Sequence, residues 1–535
     1  MQAVLGASLV TAPATAVGFD GLFVGRDGRT TTSRTSSVVL MRERTRTVMT
    51  VQGTYEGPRE DFALVMPVPA SVRREDVRVL PREVMATVAS VSAPQMLEFW
   101  EQDPCAAGLG PALNGIKTEP QRRRSWAVLE GDGHACDHCR GGWGRAQFVG
   151  GEYEYDVVDG SEVMRWLGER GFAGASGAPW QTRRGEPRWL VAVVDVARVP
   201  VDADGRMVLS PLRFEFESKR FALPRWPGLH AAGGAQDMAL YVLGQERFQV
   251  VGRDNVAIPT AIEVAPDRAR FSSGYATLLA DVRARHPGAA VTEFAARAYR
   301  RDAWREGRLD GDKIASLGGD VLWGEHDAPP RQPLGPPVAD IDVTAEDAYQ
   351  ATDPQVHAKY APKQARRRGP IMHAPHVHAL VLTRLRILLA PDAGPIELVA
   401  APGVQGGPAD RRFSADPLAR QSTGPGRPAR FLGYYVGRHA WAEPLACQYP
   451  RREVWREGPP GAEAQPPTPA STFAAPGAVL TEFLVDRPAE PYVLPGAERP
   501  LVAPSTADCG RCEASGEAGL GALLGLLGRR RRRRS

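Results

Sequence analysis

Short apolar runs separated by turn-forming residues dominate the chain from about residue 20 to 270, and they restrict the fold to one rich in strands. Residues 45–55 alternate apolar and polar side chains, which predicts a strand with one buried face. Residues 61–69 form a continuous apolar run that ends in prolines, which predicts a buried strand with an edge-like end. The 56 Gly and 47 Pro among 535 residues indicate many turns and long loops. Further strands are predicted at residues 189–199, 207–216, 238–243, 247–251, 379–390 and 395–400.

Helix signals are fewer. Ser161 precedes a segment, 162–170, whose apolar residues share one face, and Gly171 follows it as a C-terminal stop. Residues 275–285 form a second helix candidate. The mixture predicts an α+β fold that is β-rich, with mainly antiparallel sheets and a few helices. No run of about 20 apolar residues occurs, which argues against a polytopic membrane protein.

The composition divides the chain into segments. We expect one folded ectodomain over residues 20–455, with a polar, Pro-rich and partly flexible excursion at about 301–375. Residues 456–508 are rich in Pro, Ala and Gly, which is typical of a linker or stalk. Residues 1–19 contain a short apolar stretch and an A-x-A-like site but no preceding Lys or Arg. A C-terminal sorting tail, described next, would require an export signal, so we expect a truncated signal peptide rather than a plain first strand.

Residues 509–535 combine a Cys motif, an apolar segment and a block of arginines. This order resembles the MYXO-CTERM sorting tail of myxobacterial exported proteins, in which the Cys motif marks the processing and anchoring site. The arginines would stay on the cytoplasmic side of the membrane. The apolar segment, residues 519–528, is shorter than the ~17 residues that a spanning helix needs, so the tail is a degenerate one. The alternative is a solvated basic terminus. The sorting and anchoring candidates are Cys509, Cys512, Arg529, Arg530, Arg531, Arg532, Arg533 and Arg534.

The net charge of +4 is concentrated in this tail. Its six consecutive arginines leave the rest of the chain slightly acidic, so we expect no nucleic-acid partner. The expected partners are a sorting or processing protease at the tail and the membrane that the tail would contact. The expected location is the periplasm, the outer membrane or the cell surface of a Gram-negative bacterium.

The cysteines of the ectodomain are the best candidates for a site. Disulfides among Cys105, Cys136, Cys139 and Cys447 are favoured in an oxidising envelope, and four cysteines allow three pairings. The alternative is a metal site or metalloenzyme domain, since a Cys-x-x-Cys turn can present two thiolates to one ion. Arg140 follows the second Cys, which argues against covalent haem. The weak metal-ligand candidates are His134, Cys136, His138, Cys139, His373, His376 and His378.

No sequence motif assigns a reaction. The phosphate-binding, dinucleotide-binding, zinc-protease and hydrolase-nucleophile motifs are absent. We therefore expect no catalytic residues and no cofactor, and consider a non-enzymatic protein the better interpretation. In the segment 152–156 acidic residues alternate with tyrosines, and we expect the acids to face solvent and the tyrosines to face a core.

Five segments of the chain carry a further signal, namely residues 47–69, 155–171, 209–224, 379–389 and 431–455. Together they resemble a bacterial family, domain of unknown function 2330. The order of these segments and their short sequence motifs carry the resemblance, which extends over roughly residues 20–455. Phe19-Asp-Gly21 stands where the family often has Cys-Gly-Gly, and the Cys-x-x-Cys that the family often carries after a Thr-Glu-Tyr strand is missing, since no Cys follows Thr292-Glu-Phe294 until Cys447. The resemblance implies an exported envelope protein of a Gram-negative bacterium, and it implies no activity or catalytic residue.

Overall fold

A computed structural model describes most of the ectodomain. The described residues are 21–31, 33–106, 145–172, 188–202, 205–223, 235–298, 309–323, 380–390, 396–408, 420–425, 429–462, 465–485 and 491–494. All of them belong to one compact unit within residues 1–500.

Strands outnumber helices in this part of the chain, as the apolar pattern predicted. In chain order the strands are β1 (Leu22–Val24), β2 (Thr30–Thr31), β3 (Thr35–Glu43), β4 (Arg46–Tyr55), β5 (Phe62–Val68), β6 (Val77–Val79), β7 (Gln95–Glu101), β8 (Tyr153–Val158), β9 (Arg188–Val194), β10 (Met207–Val208), β11 (Leu212–Glu217), β12 (Gln236–Gly244), β13 (Arg247–Val250), β14 (Asn255–Ala257), β15 (Ile262–Val264), β16 (Ala290–Arg297), β17 (Val381–Leu389), β18 (Leu398–Ala401), β19 (Val404–Pro408), β20 (Arg420–Pro425), β21 (Arg430–Leu432), β22 (Tyr434–His439), β23 (Trp455–Arg456), β24 (Thr468–Pro469) and β25 (Tyr492–Val493).

Helices decorate these strands. The α-helices are α1 (Arg82–Ser92), α2 (Val163–Glu169), α3 (Arg268–Arg285), α4 (Gly311–Ile314), α5 (Asp320–Trp323) and α6 (Leu480–Phe483), and a π-helical turn (Ala315–Gly319) joins α4 to α5. Short 3₁₀ turns occur at Arg74–Asp76, Gly160–Glu162 and Val196–Arg198. None of the helices in the described ranges combines the length and the apolar character needed to cross a membrane.

The largest sheet runs in the order β20-β19-β21-β16-β17-β12-β3-β4-β11-β6, with β10, β14 and β25 joined beside this path. Most of its neighbours are antiparallel, including β3–β4 and β12–β17, whereas β3–β12 is parallel. A second, antiparallel sheet has the order β2-β1-β5-β9-β8. The third has the order β15-β22-β7-β23, with β24 also paired to β7, and β13 pairs with β18. The α+β, β-rich prediction is confirmed.

The apolar core lies between the sheets and under the helices. One cluster lies between the largest sheet and the second sheet, and its Phe23, Leu40 and Phe214 are almost completely buried. A second cluster lies on the other face of the largest sheet under α1, whose Val84 and Val88 contribute to it. A third surrounds α3. Helices α1 and α3 therefore cover apolar surfaces that the pairing of the sheets leaves open.

Single residues account for the start of α3 and the end of α2. The Asp267 side chain accepts hydrogen bonds from the backbone N–H groups of Ala269 and Arg270, so α3 begins at Arg268, seven residues before the predicted start. Gly171 has a φ of +76° just after α2, as the predicted stop requires. Helix α1 was not predicted from the sequence.

Part of the predicted polar excursion is folded. Residues 309–323 form α4, the π-helical turn and α5, and Ile314, Leu317 and Leu322 are buried in the cluster under the sheet. The buried Arg213 side chain donates to the carbonyls of this turn and lies 2.6 Å from Asp320. The excursion was predicted to be only partly flexible, and a few apolar residues within this polar segment suffice to dock residues 309–323 on a sheet.

The structure describes part of the segment 456–508 that the composition predicts as a linker. We define residues 465–485 and 491–494 as the strap. Its β24 pairs with β7 and its β25 pairs with β14, and Phe483 is buried against α3. The strap gains its order from strand pairing and a few apolar anchors rather than from a regular pattern of its own.

Candidate functional site

The structure joins two of the four candidate cysteines. Cys105 and Cys447 form a disulfide with 5.5 Å between their Cα atoms, and they are 342 residues apart in sequence. Sequence alone allowed three pairings of the four cysteines. This bond connects the end of β7 to the segment after β22.

The other candidates lie outside the described residues, so their predicted roles stay predictions. Within the described ranges, no group of three or more His, Cys, Asp and Glu side chains is arranged to hold a metal ion. The candidates outside these ranges are His134, Cys136, His138, Cys139, His373, His376, His378, Cys509, Cys512 and Arg529 to Arg534.

A buried carboxylate fastens the segment that carries Cys447. Glu101 at the end of β7 accepts hydrogen bonds from the backbone N–H groups of Trp441 (2.9 Å) and Glu453 (2.8 Å). The Arg452 guanidinium lies 3.1 Å from the same carboxylate. The disulfide therefore closes a segment that polar contacts already hold in place.

A second carboxylate on β7 lies in a partly exposed cluster. Glu98 pairs with Arg268 at the start of α3, and its other oxygen is 2.9 Å from His439 Nε2. The His439 ring stacks on Trp100, with 4.5 Å between ring centroids. Both oxygens of Glu98 are thus used within the protein, and the cluster is suited to hold β7, β22 and α3 together.

The most unusual feature is an ionic cluster inside the core. Glu293 on β16 and Arg384 on β17 are almost completely buried, and Arg384 Nε lies 2.5 Å from Glu293 Oε2. Tyr275 of α3 donates a hydrogen bond of 2.5 Å to Glu293 Oε1. Burial and then the Glu293 charge raise the pKa of Tyr275 well above its usual value, so this phenol stays neutral.

The cluster extends along β17 to a second carboxylate. Arg386 pairs with Asp237 on β12, and Arg283 of α3 lies 2.6 Å from the same carboxylate. Burial alone would raise the pKa of Asp237, but the charges of Arg386 and Arg283 together lower it. Burial would likewise lower the pKa of Arg386, and the Asp237 and Glu293 charges raise it instead. Both groups are therefore charged at neutral pH.

This ionic cluster carries a surplus of positive charge. Arg283, Arg384 and Arg386 face only two carboxylates, Asp237 and Glu293, among the residues that the structure describes. With its tyrosine neutral, the cluster has one more positive than negative charge. Arg283 and Asp237 are partly exposed, at 18% and 24%, so solvent screens that end of the cluster. The almost completely buried part, Glu293, Arg384 and Arg386, has two positive charges and one negative charge, and such charges are costly to bury unless other groups offset them.

A cavity of about 330 Å³ that opens to solvent lies beside Arg384 of this cluster. Its walls are the C-terminal end of α1, Ser272 of α3 and residues 469–472 of the strap. Arg384 contacts two of the wall residues. Its Nη1 donates to the Ala89 carbonyl at 3.1 Å, and its Nη2 donates to Thr472 Oγ1 at 3.4 Å. The guanidinium group therefore lies directly under the cavity.

Another buried carboxylate corrects a prediction. We expected Glu152 to face solvent, but it is 2% exposed. Its Oε1 accepts from the backbone N–H of Ser210 at 2.6 Å, and its Oε2 lies 2.8 Å from Arg82. Glu152 precedes β8 rather than belonging to it, so the strand alternation does not extend to this residue. Its contacts fasten α1 to the second sheet.

Sequence reasoning did not identify the ionic cluster as a site. A signal was present, since Glu293, Arg384 and Arg386 each stand inside an otherwise apolar strand. A charged residue in such a position must find a partner on folding. Only the pairing of β16 with β17 places the carboxylate beside the guanidinium groups.

Together, these features define a β-rich α+β protein with a disulfide-closed body and a buried ionic cluster under a small open cavity. The family described as "Uncharacterized protein conserved in bacteria (DUF2330)" matches residues 13–303, and the chain belongs to this family. No curated protein and no solved structure matches the chain significantly. The matched residues include both carboxylates of the ionic cluster, whereas Arg384, Arg386 and the strap lie beyond them.

Proposed function

We propose that this protein is an exported, non-enzymatic protein of the cell envelope, surface-anchored or released. The Cys105–Cys447 disulfide is the observation that carries the proposal. Protein disulfides form and persist in oxidising compartments and are rare where cellular thiols are kept reduced. A bond between segments this far apart in sequence supports a body that folds outside the cytoplasm.

The charged groups support a binding or structural role rather than catalysis. Asp237, Arg386 and Tyr275, whose pKa values are shifted, belong to one ionic cluster. Asp237 pairs with Arg386, and Tyr275 donates to Glu293 of the same cluster. A general acid or base instead needs access to a substrate proton. Perturbed groups of this kind also occur in structural ion-pair networks.

The C-terminal tail supports a specific route to the envelope. The proposal assigns Cys509 and Cys512 to processing and anchoring, and the six arginines to retention of the tail at the cytoplasmic face before cleavage. A protease that removes the tail and the membrane that the tail contacts are the partners of this step.

Fractionation of the native bacterium tests the proposal. The full chain and a chain that ends before Cys509 are compared by membrane, periplasm and medium fractions, with a Cys509→Ser, Cys512→Ser variant as the second arm. We expect the wild-type protein in the envelope without its tail, and altered distribution of both variants. A cytoplasmic wild-type protein with reduced Cys105 and Cys447 would contradict export, and identical distribution of all three chains would contradict the role of the tail.

A further inference from the structure

The cavity above Arg384 is formed by hydroxyl-bearing and small residues. Ser90, Ser272, Ser471 and Thr472 line it together with alanines and a proline of α1, its C-terminal cap and the strap, and none of the lining residues is acidic. Its volume of about 330 Å³ is at the lower end of the range for small-molecule sites, about 300–1,000 Å³.

Two of these hydroxyl groups accept hydrogen bonds from the protein. Ser272 Oγ accepts from the backbone N–H of Ser471 at 3.0 Å, and Thr472 Oγ1 accepts from Arg384 at 3.4 Å. A hydroxyl group has one O–H to donate besides its acceptor positions. Both groups can therefore accept from the protein and donate into the cavity at the same time.

The charge beneath the cavity selects the sign of a ligand. The buried part of the ionic cluster has two arginines, Arg384 and Arg386, and one carboxylate, Glu293. The guanidinium of Arg384 pairs with Glu293 and also bonds to two wall residues, Ala89 and Thr472. Arg384 is 0% exposed, so water does not screen it as it screens a surface arginine. An anion in the cavity would offset the surplus charge, and a cation would add to it.

We propose that this cavity binds the oxyanion group of a small ligand. Ser272 and Thr472 donate hydrogen bonds to the oxyanion, the exposed Ser90 closes one side, and Arg384 supplies the positive potential from below. The strap forms one wall, so binding holds residues 469–472 against α1 and α3. The inference goes beyond the proposed function and is independent of export, because purified protein tests it.

Inorganic phosphate is the first probe. The purified full chain is titrated with phosphate at constant ionic strength, and its thermal unfolding is followed. We expect the unfolding temperature to rise and to saturate with phosphate, since a ligand that binds only the folded state stabilises it. Chloride over the same range of ionic strength is the control for general salt effects, and acetate and sulfate distinguish a carboxylate site from a phosphate or sulfate site.

Point variants locate the effect. Ser272→Ala and Thr472→Val are each expected to weaken phosphate binding about tenfold, which corresponds to about 1.4 kcal/mol. Ser273→Ala is the matched control, because this neighbouring hydroxyl donates to the Arg270 carbonyl and does not line the cavity. Hydrogen exchange of the amides of residues 470–472 gives a second measurement. Phosphate is expected to slow it in the wild-type protein and the control, and less in the two cavity variants.

The outcomes are distinct. Saturable stabilisation that Ser272→Ala and Thr472→Val weaken and Ser273→Ala retains supports the oxyanion site. Absence of a saturable effect with all three oxyanions would overturn the proposal. An equal response of all variants would also overturn it, because the anion would then act elsewhere on the protein.

Discussion

Glu293 and Arg384 form an ion pair on adjacent strands of the largest sheet, with 2.5 Å between Oε2 and Nε and almost no exposure of either side chain. The pair is one half of an ionic cluster that Arg386, Asp237 and Arg283 extend. Buried charges of this kind are costly to create, and removal of one partner costs more than the pair contributes, because the other charge remains buried alone.

The first prediction follows from this asymmetry. Glu293→Gln keeps the shape of the side chain but leaves Arg384 without its counter-charge and increases the surplus positive charge. We expect a loss of about 3–5 kcal/mol in the free energy of unfolding. Urea denaturation measures it. The control is Glu169→Gln, which breaks an exposed pair with Arg165 that solvent screens, so its effect should be far smaller. Similar losses in both variants would contradict the assigned importance of burial.

Alkaline pH should destabilise the protein through Tyr275. Its pKa is raised in the folded state, whereas an unfolded tyrosine titrates near pH ~10. The stability that the neutral phenol contributes is present below pH ~10 and is lost as the pH rises from there toward the folded-state pKa. Denaturation at a series of pH values measures the slope. Tyr275→Phe should reduce this slope, and an unchanged slope in that variant would contradict its assignment to Tyr275.

The strap should be sensitive to the size of one residue in α3. A Cβ atom at position 274 would lie 2.2 Å from Phe483 Cδ2, so Gly274→Ala forces the strap away from the helix. We expect faster proteolysis within residues 465–494, although alanine favours helix formation by about 1 kcal/mol. Gly168→Ala in α2 is the matched control, since nothing lies within 4 Å of the place that its added methyl group would take, and it should be neutral or stabilising. Unchanged proteolysis of Gly274→Ala would argue against close packing of the strap.

The cysteine pairing can be checked by mass mapping of the non-reduced protein. We expect a Cys105–Cys447 linked peptide, and the remaining ectodomain cysteines, Cys136 and Cys139, linked to each other. Metal analysis of protein purified without a His tag is the complementary measurement. Stoichiometric zinc or copper that Cys136→Ser removes would instead favour the metal-site alternative.

Loss of the mapped disulfide has a defined consequence. Cys105→Ser with Cys447→Ser is expected to reduce the free energy of unfolding by about 2–4 kcal/mol. The segment should stay docked in the folded state, because Glu101 holds the backbone of Trp441 and Glu453 independently of the bond. Hydrogen exchange of residues 441–453 that becomes as fast as in an unfolded chain would contradict that role of Glu101.

Much of the architecture was predictable from local patterns. The alternation in residues 45–55 and the apolar runs at 61–69 and 379–390 correspond to β4, β5 and β17, because side chains of a strand point alternately to its two faces. Helix α2 followed from its apolar face and Gly171. Helix α1 and the strap were missed, since their order depends on the surfaces that they cover.

The sequence by itself determined the class of fold, the charge of the tail and the presence of charged residues inside apolar strands. Only the tertiary structure decided which partners those residues have: Glu293 beside Arg384, Asp237 beside Arg386, and Cys105 beside Cys447. The physical reason is that strand propensity and apolar periodicity act over a few residues. Ion pairs and disulfides depend instead on which distant strands become neighbours, and that is fixed when the sheets assemble around the core.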